Sequence, residues 1–285
     1  MRHSAFLFSA LVACSSPSEP PSPTPGANAD SGSETGTHDG DAGADAAPDY
    51  RSAVDEYLLG WNAPTADERA LHRTKALADD LIFIDPNIDG RGRDTFASTL
   101  ESLLNALPTT AFTLKSQLQA LPGEVRFAFE IGTPNQAPLF SGVDHATIGT
   151  DGRIVTLVSY FAPLPATAPL PAPLGAFVSM WSEADAAARA TWLDAAVTDD
   201  VFFTDSDGAK AGKASLGNYV TDCIVRGEPK FSQASGVDAF KDRFRVGLNV
   251  VVNGAVVDSA TLAGALATDG KIKSATLYRG PLSPL

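Results

Sequence analysis

Few residues of this 285-residue chain combine a reactive type with a placement that could use it. Foremost is Asp85, near the end of Leu77–Pro86, which reads Leu-Ala-Asp-Asp-Leu-Ile-Phe-Ile-Asp-Pro. A strand over Leu81–Asp85 puts Leu81, Phe83 and Asp85 on one face and Ile82 and Ile84 on the other. A carboxylate in line with apolar side chains is partly desolvated, so its pKa moves up toward the range of a useful base. Pro86 closes the strand because it has no N–H for the ladder. A second candidate is the pair Asp144-His145; in a strand these alternate, so only one can enter a given pocket, and a pocket taking His145 would make Asp85–His145 an acid–base pair. Other chemistries find no support. No His or Cys has metal-ligand spacing, and there is neither a phosphate loop nor a Gly-x-Ser-x-Gly turn, so no metal and no cofactor is expected.

The phrase around Asp85 returns 120 residues later as Val197–Asp205, Val-Thr-Asp-Asp-Val-Phe-Phe-Thr-Asp. At that constant offset Trp61 meets Trp181, Arg69 meets Arg189, and Asp79-Asp80 meets Asp199-Asp200. Ten of the 44 positions of 57–100 are identical in 177–220, and Asp151-Gly152-Arg153-Ile154 is echoed by Asp269-Gly270-Lys271-Ile272. The chain therefore carries an internal duplication. Arg69 and Arg189 are expected to pair with the Asp-Asp turn or with helix ends.

Each copy predicts helices first and strands after. Val54, Tyr57, Leu58 and Trp61 recur at helical spacing. Asn62–Thr65 breaks that helix, and a second over Asp67–Ala78 should turn Leu71 and Leu77 inward. A third runs over Thr95–Leu107. Strands follow at Ala111–Leu118, Glu124–Ile131, Pro138–Ile148 and Ile154–Phe161, with a tight turn at Thr150-Asp151-Gly152. This order is α+β. Between the copies, 163–173 holds five prolines in eleven residues and reads as a stiff, extended linker.

The N-terminus carries an address. Arg2, the apolar Ala5–Ala10 and Leu11-Val12-Ala13-Cys14 resemble a bacterial lipoprotein signal, with 1–14 as signal peptide and Cys14 as the lipidated residue. Ser15 after it is compatible with delivery to the outer membrane. Residues 15–48 contain six acids, no Lys or Arg and almost nothing to bury, and read as a disordered tether. The expected location is the cell envelope, with contact to membrane only through the lipid anchor. A formal charge of −13 argues against nucleic acid as a partner. Lipidation of Cys14 leaves Cys223 without a disulfide partner, as a buried small apolar residue.

Helix, helix, Ala-Asp-Asp-strand-Asp-Pro, Gly-x-Gly-Arg-Asp, helix, then strands around Asp-Gly-Arg-Ile resembles the SnoaL-like branch of the nuclear transport factor 2-like superfamily. The resemblance spans two domains, 49–162 and the looser 174–285. It implies a curved antiparallel sheet wrapped over about three helices, a cone with an apolar pocket. Members of the superfamily pair through the outer face of the sheet, so two copies in one chain imply an intramolecular pseudo-dimer. Compared with ketosteroid isomerase, whose carboxyl tuning is a worked example of a protonated Asp that donates a hydrogen bond, Asp85 matches the base. Tyr57 on the first helix and Asp144 match the two oxyanion donors. Trp61, Phe83, Phe127 and Phe129 are expected to line the pocket. The second copy has Phe177 opposite Tyr57 and a residue near Leu262 opposite Asp144, so only Asp205 remains.

The leading expectation is an envelope lipoprotein whose first domain takes a small apolar or amphipathic molecule. The alternatives are a cofactor-free isomerase, cyclase or dehydratase using Asp85 with Tyr57 and Asp144, and a protein-docking module with plugged pockets.

Overall fold

The computed structural model describes residues 49–161 and 163–285. The expected signal peptide, Cys14 and the expected tether therefore lie outside the described residues.

The chain enters α1 (Tyr50–Asn62) through Asp49, whose side chain accepts from the Ser52 N–H, and buries Ala53, Val54, Tyr57 and Gly60 on one face. α2 (Ala66–Ala76) starts from a capping box between Thr65 and Glu68. This cap sets the helix so that Arg73 and Ala76 are the buried positions. Leu71, expected inward, is 57% exposed, and Leu77 is buried as the first residue of β1 (Leu77–Ile84) rather than on the helix. The Asp-Asp pair is not a turn between helix and strand. It is a bulge inside β1, where five residues of that strand span the distance of two on its neighbour. Asp79 and Asp80 are turned out of the ladder, and Asp79 pairs with Arg93 at 2.6 Å and with Arg153 at 3.5 Å. After β2 (Asp89–Arg91), a short strand absent from the sequence reading, comes α3 (Arg93–Ala106). The expected strand at Ala111–Leu118 is two pieces, β3 (Ala111–Leu114) and β4 (Gln119–Leu121), followed by β5 (Glu124–Gly132), β6 (Phe140–Ile148) and β7 (Ile154–Tyr160).

The second half repeats the plan as α4 (Ala172–Met180), α5 (Ala186–Ala196), β8 (Val197–Asp205), β9 (Gly208–Ala211) and α6 (Lys213–Val225). Its remaining strands are β10 (Lys230–Phe240), β11 (Arg243–Val252), β12 (Ala255–Leu266) and β13 (Ile272–Arg279). The strand orders are equivalent: β2-β1-β7-β6-β5-β3, with β4 also on β5, and β9-β8-β13-β12-β11-β10. Both sheets are antiparallel save for one parallel pair each, β1 with β7 and β8 with β13, joined by a crossover through the rest of its half. The bulge is also repeated, between Val197 and Phe202. Gly92 and Gly212, at φ +88° and +82°, donate their N–H groups across it to Leu81 and Val201. Each half is thus α+β, three helices against its own sheet, with a separate buried core.

The proline-rich stretch lies along β10: Gly236 donates to the Pro165 carbonyl at 3.0 Å, and Thr167 to that of Ala234 at 3.2 Å. α4 begins within the expected linker, with Pro173 in its first turn. The two sheets contact through their outer faces. Tyr160 donates to the Phe244 carbonyl at 2.8 Å and Arg126 to that of Gly280 at 2.8 Å. The contacts repeat with the halves exchanged: Arg126 stacks over Tyr278 and Arg245 over Tyr160, both at 4.6 Å.

Candidate functional site

Strand register decides which side chains meet. Phe127, Asp144 and Ser159 stand opposite one another on β5, β6 and β7, and therefore share one face of the sheet. That face is the inner one: Phe127 and Asp144 are both fully buried. From the helix side, α1 brings Tyr57, whose hydroxyl donates to Asp144 Oδ2 at 3.4 Å, while Ser159 donates to Oδ1 at 2.6 Å. The Tyr57 ring packs against Phe96, Phe112 and Phe127, and Phe112 stacks on Phe129 at 4.8 Å. Two residues expected to bracket a pocket, Phe127 and Phe129, are thus parts of a closely packed aromatic cluster. Phe83, on β1, joins it through Phe96 at 5.2 Å. Trp61, one turn beyond Tyr57 on α1, meets Tyr57 edge-on, and its buried indole N–H has no hydrogen-bond partner.

Burial sets the electrostatics. The Asp144 carboxyl is raised to about 7, because desolvation outweighs the Ser159 and Tyr57 hydrogen bonds and the Asp85 charge adds to it. Near neutral pH this group is divided between acceptor and donor. Tyr57 is pushed well above its ordinary range by burial and by the Asp144 charge, with the Trp61 indole acting the other way. It stays a donor.

Asp85 lies just past β1 rather than within it, half-buried. Its Oδ1 accepts from the N–H groups of Asn87 (2.6 Å) and Ile88 (2.7 Å), the turn that Pro86 initiates. Burial raises its pKa, against these two N–H groups and the charge of Lys241. Lys241 belongs to the turn between β10 and β11, so the second half adds a cation near the first half's carboxylate.

The structure brings Tyr57, Asp144 and Asp85 into one neighbourhood and excludes His145 from it. His145 stands opposite Arg126 and Val158, on the outer face of the sheet. It packs between the rings of Tyr160 (5.5 Å) and Tyr278 (5.4 Å), and an Asp85–His145 acid–base pair is ruled out by strand alternation.

In the second half the row Phe127–Asp144–Ser159 becomes the apolar Val246–Leu262–Leu277. Its polar centre lies elsewhere. Tyr219 of α6 donates to the buried Asp205 Oδ2 at 2.6 Å, with Asp207 Oδ2 a longer alternative acceptor at 3.2 Å and the Lys210 ammonium 4.2 Å from its ring. Tyr219 was invisible to the repeat alignment, where it falls opposite Thr99. The available signal was a Tyr appearing opposite a Thr, in a copy that had lost its α1 Tyr. Cys223, one turn on, is buried, as its apolar surroundings predicted. Arg69 and Arg189 contact helix ends and α3 or α6, through Ala63 and Glu101 or Glu183 and Thr221, not the Asp-Asp bulge. Among the described residues no group of three or more His, Cys, Asp or Glu is placed to hold a metal, and no helix is long and apolar enough to cross a membrane.

No family model matches the sequence, and no curated protein matches it. Among solved structures, the chain is similar to a SnoaL-like family protein from Agrobacterium tumefaciens, with 23% identity over 40% of this chain and 97% of that one, at a TM-score of 0.37. It is also similar to a SnoaL-like protein of unknown function from Burkholderia thailandensis (18%, 40% and 95%, TM-score 0.33). A third is an LEH-like epoxide hydrolase from M. tuberculosis (20%, 40% and 86%, TM-score 0.31). The solved structures that this chain resembles are SnoaL-like, NTF2-like and ketosteroid isomerase-like proteins, each spanning about two fifths of its length.

Proposed function

We propose that the first half binds a small, mostly apolar molecule that carries one hydrogen-bond-accepting oxygen. The observation that carries this reading is the buried Tyr57–Asp144 pair with the Trp61 indole N–H beside it, which acts on the Tyr57 hydroxyl but makes no hydrogen bond of good geometry among the described residues. A buried donor left unmade costs about 1–3 kcal/mol, and a ligand carbonyl or hydroxyl at that point would recover it. The surrounding rings supply the apolar contact. The second half presents no equivalent pair at that position, and we read the two halves as an intramolecular pseudo-dimer in which one copy binds and the other covers its sheet.

A second reading, proton transfer without a cofactor, is favoured by Asp85. Its pKa is raised by burial, and its charge acts on the neighbouring Asp144. There Asp85 would take a proton beside a ligand carbonyl, with Tyr57 and neutral Asp144 donating to the oxyanion, as in isomerases, cyclases or dehydratases. Anchorage to the cell envelope through Cys14 is supported by the N-terminal sequence alone.

One experiment separates these readings. Apolar ketones and alcohols are titrated into the protein, its Asp85→Asn variant and its Trp61→Phe variant, with turnover followed in parallel. Ligand binding predicts an affinity at least several-fold weaker in Trp61→Phe and retained in Asp85→Asn. Proton transfer predicts, in addition, turnover that Asp85→Asn abolishes. If the unaltered protein binds none of the panel, the pocket reading fails and protein docking takes its place.

A further inference from the structure

Where the two sheets meet on their outer faces they leave a cavity of about 360 Å³, separate from the site above and within the size range of small-ligand sites. Arg126 of the first half, Arg245 of the second and His145 are its basic side chains, beside the hydroxyls of Ser235, Ser259 and Thr261. Val143, Leu164 and Leu282 contribute apolar wall. All three basic side chains are more than nine-tenths buried.

The charges in this wall do not balance. Arg245 pairs with Asp238 at 2.8 Å. Arg126, only 3% exposed, forms no ion pair among the described residues: its guanidinium donates to the neutral Gln119 side chain at 2.7 Å and to the Gly280 carbonyl. A charge this deep usually has a carboxylate. Glu124, the nearby acid that lines a smaller hollow on the other side of His145, hydrogen-bonds Thr147, and burial raises it to about 7. Desolvation and the like charge of Arg245 lower Arg126 to about 10, so the two cations act on each other. His145 adds an independent sign. It lines the cavity, its Nε2 is buried without a hydrogen-bond partner among the described residues, and its neighbours are two rings and two arginines.

We infer that this cavity between the halves binds a small organic monocarboxylate, its anionic end against Arg126 and His145 and its apolar tail against Val143, Leu164 and Leu282. The fit is chemical. A carboxylate presents two oxygens to a guanidinium fork and an imidazole N–H. It also brings a negative charge to Arg126, which has no ion pair among the described residues. Inorganic phosphate would leave the apolar part of the cavity unfilled, and the carboxamide of the same acid would bring no charge. This site lies on the opposite face of the sheet from Tyr57 and Asp144 and does not depend on their function.

The test is titration of the full chain with sodium octanoate, octanamide and inorganic phosphate, followed by calorimetry and by the His145 ring signals in NMR. Octanoate should bind and shift the His145 ring, with octanamide and phosphate at least ten-fold weaker. His145→Ala and Arg126→Met should each weaken octanoate at least ten-fold, whereas Arg51→Ala, which removes an exposed cation of α1 outside the cavity, should not change it. Ala263 occupies the position of His145 in the second half, so His145→Ala is compatible with this fold. Should Arg126→Met fail to fold, the His145 signals of the unaltered protein still decide. Equal binding of octanamide, or octanoate binding that leaves the His145 ring unshifted and survives His145→Ala, would overturn the assignment.

Discussion

At the scale of single residues, Asp144 shows what a buried carboxyl does to stability. Its folded pKa is about 7, against about 4 for an unfolded Asp. Between those values the folded chain holds the proton more tightly, so the contribution of this group is complete below about pH 4 and is lost as pH rises through 7. Asn at this position keeps the neutral shape and cannot ionise. Urea unfolding at pH 5 and pH 8 should therefore show Asp144→Asn gaining on the unaltered protein by about 2 kcal/mol across the interval. The comparison must be a difference between variants, because other buried groups make stability depend on pH as well. Glu124 is raised to about 7 by burial and acts in the same direction. His145 is lowered by burial and by two arginines, and acts in the opposite one. A constant gap between the two proteins would mean that Asp144 is ionised throughout.

At the scale of elements, the duplication lets the chain serve as its own control. Glu101 of α3 takes Arg69 and Arg73 of α2, at 2.9 Å and 2.8 Å, with Arg73 wedged against the Gly60 carbonyl of α1. At the same positions the second half has Thr221, Arg189 and Leu193, and where Arg69 meets a carboxylate Arg189 meets the Thr221 hydroxyl, at 3.3 Å. Three charges have become one and a leucine. Glu101→Gln should thus cost about 2–4 kcal/mol, because the buried Arg73 loses its counter-charge, while Thr221→Ala should cost under about 1 kcal/mol. Equal losses in urea denaturation would show that the Glu101 cluster holds nothing together. These clusters also explain why the sequence was partly legible. Helix, helix and strand order followed from spacing and breakers, and Asp85, Tyr57 and Asp144 were named from the order of elements that the family resemblance supplied. Arg73 was missed as a core residue, and Leu71 was placed inside, because helical spacing of apolar residues cannot register an arginine buried through partners on two other helices. The bulge at Asp79-Asp80 looked like a turn for a related reason: a doubled acid before an apolar run has the composition of both.

At the scale of the whole molecule, the outer sheet faces could not be read from alternation alone. Alternation says that His145 and Asp144 oppose each other, but not that His145, Tyr160 and Arg126 are covered by the other half of the chain. The exchange of stacked pairs, Arg126 on Tyr278 and Arg245 on Tyr160 at the same 4.6 Å, shows that the halves contact through equivalent residues. The symmetry is broken at the hydroxyls. Tyr160 donates to the Phe244 carbonyl at 2.8 Å, whereas the buried Tyr278 hydroxyl has no hydrogen-bond partner. Replacing either tyrosine with Phe keeps the ring beneath its guanidinium and removes only the hydroxyl. Tyr160→Phe should then cost about 1 kcal/mol, for a lost hydrogen bond and an under-satisfied carbonyl. Tyr278→Phe should be neutral or mildly stabilising, because it removes a desolvated group that gains nothing from burial. Thermal unfolding of the two variants beside the unaltered chain measures the difference. A Tyr278→Phe loss as large as that of Tyr160→Phe would show that the Tyr278 hydroxyl is bonded in solution, and that the two faces meet with full twofold equivalence.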